Sequence, residues 1–403
     1  MTKFQLMIDT KIFNDTKNAF ILKTDKDLKR SLFIFSLMNI PFFVPISTVL
    51  TQFALKIKLP IESIIRATIF KQFCGGETQE ECMPLVKLMY SKNVHSVLDY
   101  SVEGKETEAD FDEAARRKIE IIKFASSSKE LPFAVAKPTG LGRFEIWEKV
   151  THNENLSSQE QSEWDRIKNR LEKICQAAVD YDTKLLIDAE ESWMQDAADN
   201  LIEEMMVKFN KDKAYIFNTL QCYRWDRLAY VKELHERANN QGFKLGFKVV
   251  RGAYMEKENL RANRKGYQSP ICEDKEATDV NFNAVMTYCI NNIEDISMFI
   301  GTHNEVSSYM ALQLMEQQGI DLDDDRVWFG QLYGMSDHIS YNIGKHQSNA
   351  IKLLPFGPIR DVVPYLIRRA QENSSVKGQT GRELALLQEE KQRREGQFVK
   401  RIN

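Results

Sequence analysis

A chain of 403 residues with 43% apolar and 28% charged residues is long enough for a large core and has the balance of an ordinary globular protein. Its 55 basic and 58 acidic residues leave a net charge of -3, which argues against a nucleic-acid-binding chain, since those carry a basic patch or stripe. Six cysteines, at 74, 82, 175, 222, 272 and 289, form no CxxC pair and no zinc spacing with histidine, so free thiols in a reducing compartment are expected.

The N-terminus, MTKFQLMIDTKIFNDTKNAF, carries acids at Asp9 and Asp15 and reads neither as a secretory signal nor as an Arg-rich transit peptide. Residues 31–55, SLFIFSLMNIPFFVPISTVLTQFAL, contain no charge and are long enough to span a bilayer. Pro41 and Pro45 interrupt the run, and Ser, Asn, Thr and Gln dilute it. The first expectation is therefore a buried helix pair with a proline turn. A surface that touches a membrane is the second, and a spanning helix the third. Residues 1–92 as a whole read as an N-terminal helical arm.

From about residue 93, short apolar runs alternate with longer amphipathic stretches. The runs are HSVLDYSV (95–102), PFAVAKP (132–138), KLLIDAE (184–190), AYIFNTL (214–220), GFKVVRG (246–252), MFIGTH (298–303), VWFGQL (327–332) and IKLLPFG (351–357). Continuous hydrophobicity suits parallel strands buried on both faces. Between them the period is helical. Ala197, Leu201, Met205 and Phe209 recur every fourth residue in 193–209, and Trp225, Leu228, Ala229 and Leu234 share a side of 225–239. Gly242 reads as a helix stop, and Pro364 as part of the first turn of a last, short helix. Polar stretches at 103–118 and 151–165 read as solvated connections ahead of amphipathic helices. The alternation over 93–403 predicts a (β/α)8 TIM-type barrel, with an open doubly wound sheet as the alternative. No GxGxxG or GxxxxGK[ST] opens a helix, so the usual dinucleotide and phosphate loops are not expected.

Barrels of this type form their sites at the C-terminal ends of the strands. Those ends deliver Lys137, Asp188, Gln221, Lys248 with Arg251, Thr302 with His303 and Asn304, and Gln331. The eighth strand leads into YLIRRAQENSS (365–375). Each residue has a plain reading alone. Lys137 reaches solvent, Asp188 caps a helix near Ser192 or pairs with a lysine, Gln221 and His303 sit in turns, and the arginine pair lies on a wetted face. A polar group at the same end of nearly every strand exceeds what a structural barrel needs. Lys137, Arg368 and Arg369 suit a carboxylate, which arginine holds through paired N–H bonds. Glu372 is spaced to brace either arginine along the helix, and Tyr365 to cover an apolar body. A small acid with an apolar ring or chain fits this set. The scattered histidines, with no HExxH, GxSxG or evident Cys–His pair, suggest no metal and no strong nucleophile, which points to cofactor chemistry.

The strings LLIDAEE, KVVRGAYMEKE, GTHNE, FGQLYGM and LLPFGPIRDVVPYLIRRAQENSS occur in this order. From about Phe70 to Arg394 the chain resembles the proline dehydrogenase family, in its single-function, eukaryote-like branch. The resemblance implies a distorted barrel that holds FAD without a covalent link. It implies that a hydride passes from C5 of L-proline to flavin N5, giving Δ1-pyrroline-5-carboxylate, and that the electrons go on to a membrane quinone. By similarity, Arg368, Arg369 and Lys137 bind the substrate carboxylate, Glu372 orients an arginine, and Tyr254, Leu332 and Tyr365 wall the ring. Asp188 and Lys248 match the catalytic positions. Ala189, Gln221, Arg251, Gly252, Ala253, Thr302 and His303 match positions that contact FAD.

Three positions depart from the pattern. Lys248 stands where many bacterial members have arginine, and Met255 where many have tryptophan. Leu353 stands where proline-specific members usually place a tyrosine that crowds C4 of the ring, which makes trans-4-hydroxy-L-proline the runner-up substrate. A catalytically silent flavoprotein sensor and a metal-dependent hydrolase barrel are the rival classes. With no transit-like N-terminus, the expected place is the bacterial cytoplasm, peripheral to the inner face of the inner membrane. There pyrroline-5-carboxylate dehydrogenase is a further docking partner.

Overall fold

In the computed structural model, which describes residues 10–40, 42–57, 59–101, 107–375 and 379–402, all eight apolar runs are strands. They are β1 (Val94–Tyr100), β2 (Phe133–Ala136), β3 (Lys184–Ile187), β4 (Ile216–Gln221), β5 (Leu245–Val250), β6 (Ile296–Gly301), β7 (Val327–Leu332) and β8 (Ala350–Phe356). Residue 102, the last of the first expected run, lies outside the described residues. The strands follow one another in chain order around a closed barrel, so the open sheet is ruled out. Neighbours pair in parallel, from β1 on β8 to β6 on β7. The chain divides into two compact units, Met1–Glu103 with Gln331–Asn403, and Gly104–Gly330.

In the Gly104–Gly330 unit the N-terminal ends of the strands close on an aromatic cluster. Phe133 meets Phe217, Phe299 and Trp328 edge-to-face at centroid distances of 5.5, 5.4 and 5.2 Å. Such contacts add to the gain from burying the rings. Gly330 is required beside them: a Cβ there would lie 2.1 Å from Phe299 Cε1. Lys184 covers the cluster, with its ammonium 5.3 Å from the Phe133 centroid and 2.6 Å from Asp325 Oδ1. Burial pulls the Lys184 ammonium below its usual range, and Asp325 only partly offsets this. This end is therefore filled by rings and closed by an ion pair.

The helices begin where local chemistry satisfies their free N–H groups. Thr107 with Asp110 and Ser157 with Glu160 form capping boxes, so the helix Glu108–Ser126 occupies most of the stretch expected to be a solvated connection. Helix Ser192–Phe209 matches its apolar period. Helix Arg227–Gln241 stops at Gly242, whose φ of 66° suits glycine, as expected. Trp225, expected inside that helix, precedes it. Its indole N–H instead donates to the Ser269 carbonyl.

In the other unit, the described residues before Val94 are helices and loops. Helix Asp25–Met38 buries Leu28, Ser31, Ile34, Phe35 and Met38, which share one face. Helix Phe43–Lys56 does not meet the expectation of a buried partner: Ile46, Val49, Leu50 and Phe53 are 59–65% exposed. Its polar residues Ser47, Thr48 and Thr51 share one side, and the opposite, apolar side with Ile46, Val49, Leu50 and Phe53 is the one left outward. The two helices bend by 103°, and among the described residues no single helix is long and apolar enough to cross a membrane. Pro364 also departs from expectation. It lies in the interior of the helix Ile359–Ser375, which is neither short nor last, because Gln379–Ile402 follows.

A buried ion cluster pins β8 in this unit. Lys352 is fully buried, and its ammonium lies 2.9 Å from Asp337 Oδ1 and donates to the Met335 carbonyl. Lys23 holds the other oxygen of Asp337 at 3.1 Å. Burial works against ionising Asp337, but the two lysines outweigh it and hold the carboxyl down to about 2. Removing the aromatic keystone of the other unit is a direct test of its packing: Phe133→Ala is expected to cost about 3–5 kcal/mol in urea unfolding, the usual range for a buried Phe→Ala.

Candidate active site

At the C-terminal ends of the strands in the Gly104–Gly330 unit, three charged side chains meet. Lys248 projects from β5 and is 7% exposed, so its ammonium needs a counter-charge. Asp188, one residue past β3, supplies it, with Oδ1 2.7 Å from Lys248 Nζ. The other oxygen, Oδ2, lies 3.2 Å from Lys137 Nζ. Lys137 leaves β2 just before Pro138, which favours the extended backbone seen at φ -118° and ψ 131°. Asp188 thus takes the lysine-pairing role and not the cap: the helix from Ser192 has Glu191 at its N-cap position, and Glu258 accepts from the Ser192 N–H.

Glu190, two residues on, was not singled out from the sequence. It is 5% exposed and accepts hydrogen bonds from Tyr254 Oη at 2.6 Å and Thr139 Oγ1 at 2.9 Å. Burial pushes its carboxyl up to about 7, against the lowering effect of Tyr254, Lys137 and Thr139. The adjacent acids of LLIDAEE were the available signal, but nothing in the string says which of them is buried.

The positions matched to a cofactor fall at neighbouring strand ends of the same unit. Gln221 is buried at the end of β4, and its amide donates to the Glu190 carbonyl at 2.6 Å. Arg251 follows β5 and is held on three sides: it donates to Asp279 Oδ1, Thr302 Oγ1 and Ser307 Oγ, and stacks 4.3 Å over Phe282. Burial opposes ionisation of Asp279, but Lys275 and Arg251 outweigh it and lower its pKa. Gly252 has φ 128°, and a Cβ there would strike the Tyr223 ring at 2.4 Å, so this backbone admits only glycine. Gly252 and Ala253 are exposed, Thr302 and Ala189 are buried, and His303 is half-buried.

In the other unit the Ile359–Ser375 helix carries the arginine pair. Arg369 bonds Glu372 and lies 5.2 Å from the centroid of Tyr365. Glu372 thus braces Arg369, one of the two arginines it is spaced to reach. Burial raises the Glu372 carboxyl, and Arg369 and Arg368 pull against it. Arg368 lines a cleft of about 500 Å³ with Lys56, Arg360, Val363, Pro364 and Ile367. Neighbouring residues on a helix lie about 100° apart, which separates the directions of the two guanidiniums. Tyr365 is 7% exposed in an apolar cluster against which Leu332 packs, so those two expected wall residues share one environment. Among the described residues the buried Tyr365 hydroxyl has no hydrogen-bond partner. Leu353 is half-buried on β8, and its carbonyl accepts from the Tyr333 N–H.

Comparison with known proteins gives concordant matches. The family model described as proline dehydrogenase matches residues 82–382. A protein of Pectobacterium carotovorum named carbapenem antibiotics biosynthesis protein CarD is 35% identical over 80% of this chain and 83% of its own length. Proline dehydrogenase 1, mitochondrial, of Dictyostelium discoideum is 30% identical over 96% of this chain and 76% of its own. Hydroxyproline dehydrogenase of Xenopus laevis is 29% identical over 93% and 89%. Among solved structures, proline utilization A from Bdellovibrio bacteriovorus, inactivated by N-propargylglycine, superposes with a TM-score of 0.71 at 19% identity. That alignment covers 93% of this chain and 39% of that longer one, and it shows a shared fold.

The two lysines on Asp188 differ in burial, and their loss should differ accordingly. Asp188→Ala, which strands the buried Lys248 ammonium, is expected to destabilise by about 3 kcal/mol in urea unfolding. Lys137→Ala removes the more exposed partner and is expected to cost under about 1 kcal/mol.

Proposed function

The chain belongs to the proline dehydrogenase family, and from that premise we propose that it oxidises L-proline to Δ1-pyrroline-5-carboxylate with a non-covalently bound FAD. The observation that carries this reading is Asp188 clamped between Lys137 and Lys248 at the catalytic ends of the strands. The strand-end residues fit a flavin: Gly252 and Ala253 leave backbone exposed with almost no side chain, flanked by the rigidly bonded Arg251 and by Thr302. Ala189, Gln221 and His303 complete the set that would hold it. The bound flavin supplies a two-electron acceptor for the hydride that leaves C5 of proline.

The protein's part is position and charge. Arg368, Arg369 and Lys137 bind the substrate carboxylate, and Glu372 keeps Arg369 oriented through their hydrogen bond. Tyr365, Leu332 and Tyr254 wall the ring and exclude water. Fixing the carboxylate fixes C5, and orientation of this kind contributes several kcal/mol to rate. Lys248, held by Asp188, provides a cation where negative charge develops on reduction.

Leu353 supports trans-4-hydroxy-L-proline as a second reading, since a leucine leaves more room near C4 than a tyrosine. The name of the Xenopus relative points the same way. The electron acceptor in this reading is a membrane quinone, reached from the cytoplasmic side, and the product passes to pyrroline-5-carboxylate dehydrogenase. The exposed apolar side chains of the Phe43–Lys56 helix support a peripheral membrane contact. From Leu28 to Ile61 the sequence has four cations and no acid, which suits an anionic bilayer surface.

Purified protein is expected to be yellow, with flavin absorbance that bleaches on anaerobic addition of L-proline. Colour without bleaching would make it a sensor, and no colour would remove the flavin. Arg369→Met is expected to raise KM for proline by roughly a hundredfold, from loss of a charge-assisted hydrogen bond to the carboxylate. Leu353→Tyr is expected to shift the kcat/KM ratio toward proline over hydroxyproline by about tenfold. A wild-type preference for hydroxyproline would reverse the order of the two substrates. Phe53→Ser with Leu50→Ser should reduce co-sedimentation with quinone-containing anionic liposomes, and unchanged sedimentation would end the membrane assignment.

A further inference from the structure

Every polar atom of Glu190 has a partner. Its N–H donates to Gln195 Oε1 at 2.8 Å, and its carbonyl accepts from Gln221. Its carboxyl oxygens accept from Thr139 and Tyr254. Gln195 in turn donates to Asp199, which is paired at 2.8 Å with Arg227, and both members of that ion pair are buried. The backbone at Glu190 is therefore fixed to the core of its unit. What remains variable is the charge on the carboxyl.

The groups around that carboxyl come from several elements. Lys137 and Thr139 follow β2, and Lys248 on β5 acts through Asp188. Asp188 and Glu191 flank it in its own loop. Tyr254 precedes the helix Met255–Lys265, from which Lys257 pairs with Glu191 and Glu258 bonds Ser192. Lys137, Lys248 and Asp188 together carry one net positive charge. An ionised Glu190 cancels it, and a neutral Glu190 leaves it in place.

We propose that Glu190 is a positioning residue of the proline site: its carboxyl fixes the Tyr254 ring, and its charge state sets the net charge of the Lys137–Asp188–Lys248 cluster that holds the substrate carboxylate. This rests on the assignment of Lys137 and Tyr254 to substrate. Burial brings the Glu190 carboxyl up to about 7, so it ionises across neutrality. As pH rises through that range, the cluster loses its net positive charge and holds a carboxylate less tightly. Glu190→Gln keeps an acceptor for Tyr254 and cannot ionise.

Two measurements test this. In the infrared spectrum of the protein without substrate, the C=O stretch of a protonated carboxylic acid should fade as pH rises through about 7. That band should be missing in Glu190→Gln. In steady-state assays, the ratio of wild-type to Glu190→Gln KM for L-proline should rise about tenfold from pH 6 to pH 8, since one charge close to the ligand is gained only in the wild type. Thr139→Val removes a donor to the carboxylate and should move both midpoints to higher pH. It also carries the test if Glu190→Gln does not fold. A constant KM ratio, or a titrating band undiminished in Glu190→Gln, would overturn the proposal. A wild-type protein that does not oxidise proline would remove the substrate assignment and this proposal with it. The infrared titration would then still report whether Glu190 ionises as described.

Discussion

One carboxylate shared by two ammonium groups is the constraint on which the site depends. Lys248 leaves β5 into a nearly dry environment, where an unpaired ammonium would cost several kcal/mol. Asp188 lies one residue past β3 and meets it at 2.7 Å, which ties the exits of two strands to one electrostatic bond. Lys137 completes the group from a third strand and is the partner closer to solvent. The result is a fixed positive end on a rigid frame, set where a barrel leaves its strand termini open. In the proposed reaction, a bound anion would meet a charge that is already in place, with little reorganisation.

The same device recurs elsewhere with other purposes. Arg369 is braced by Glu372 on the next turn of its helix, and Arg251 by Asp279, so each of these cations has an acid that orients it. Lys352 and Lys23 on Asp337 form a cluster of the same kind, one acid between two lysines, but with Asp337 and Lys352 buried. There the charges tie β8 to the N-terminal segment through Asp337. Burial separates the two cases: the Lys137 side chain stays 32% exposed, and Lys352 is fully buried.

Much of this was legible in the chain. Parallel strands buried on both faces must be continuously apolar, so the eight runs stood out, and the lysines, arginines and acids interrupting their ends stood out against them. What was not legible depended on direction and depth. Arg368 and Arg369 are adjacent in sequence, but Arg369 lies over Tyr365 and bonds Glu372, while Arg368 lines a cleft with Lys56 and Arg360. Glu190 and Glu191 are identical letters, yet one bonds Tyr254 and the other a lysine at the rim. Residues 31–55 read as one uncharged block, although its first half has a clear buried stripe and its second half turns an apolar face outward. Composition recorded the apolar content but not which half would find a partner.

In the proposed reaction, fixed cations hold a small ring by its carboxylate. The most direct measurement is calorimetric binding of two unreactive ligands: a saturated five-membered ring bearing only the carboxylate, and the same ring bearing only the amine. The account predicts that Lys137→Met and Arg369→Met each weaken the first ligand by about tenfold or more and leave the second unchanged. Equal binding of the carboxylate ligand by wild type and both variants would contradict it.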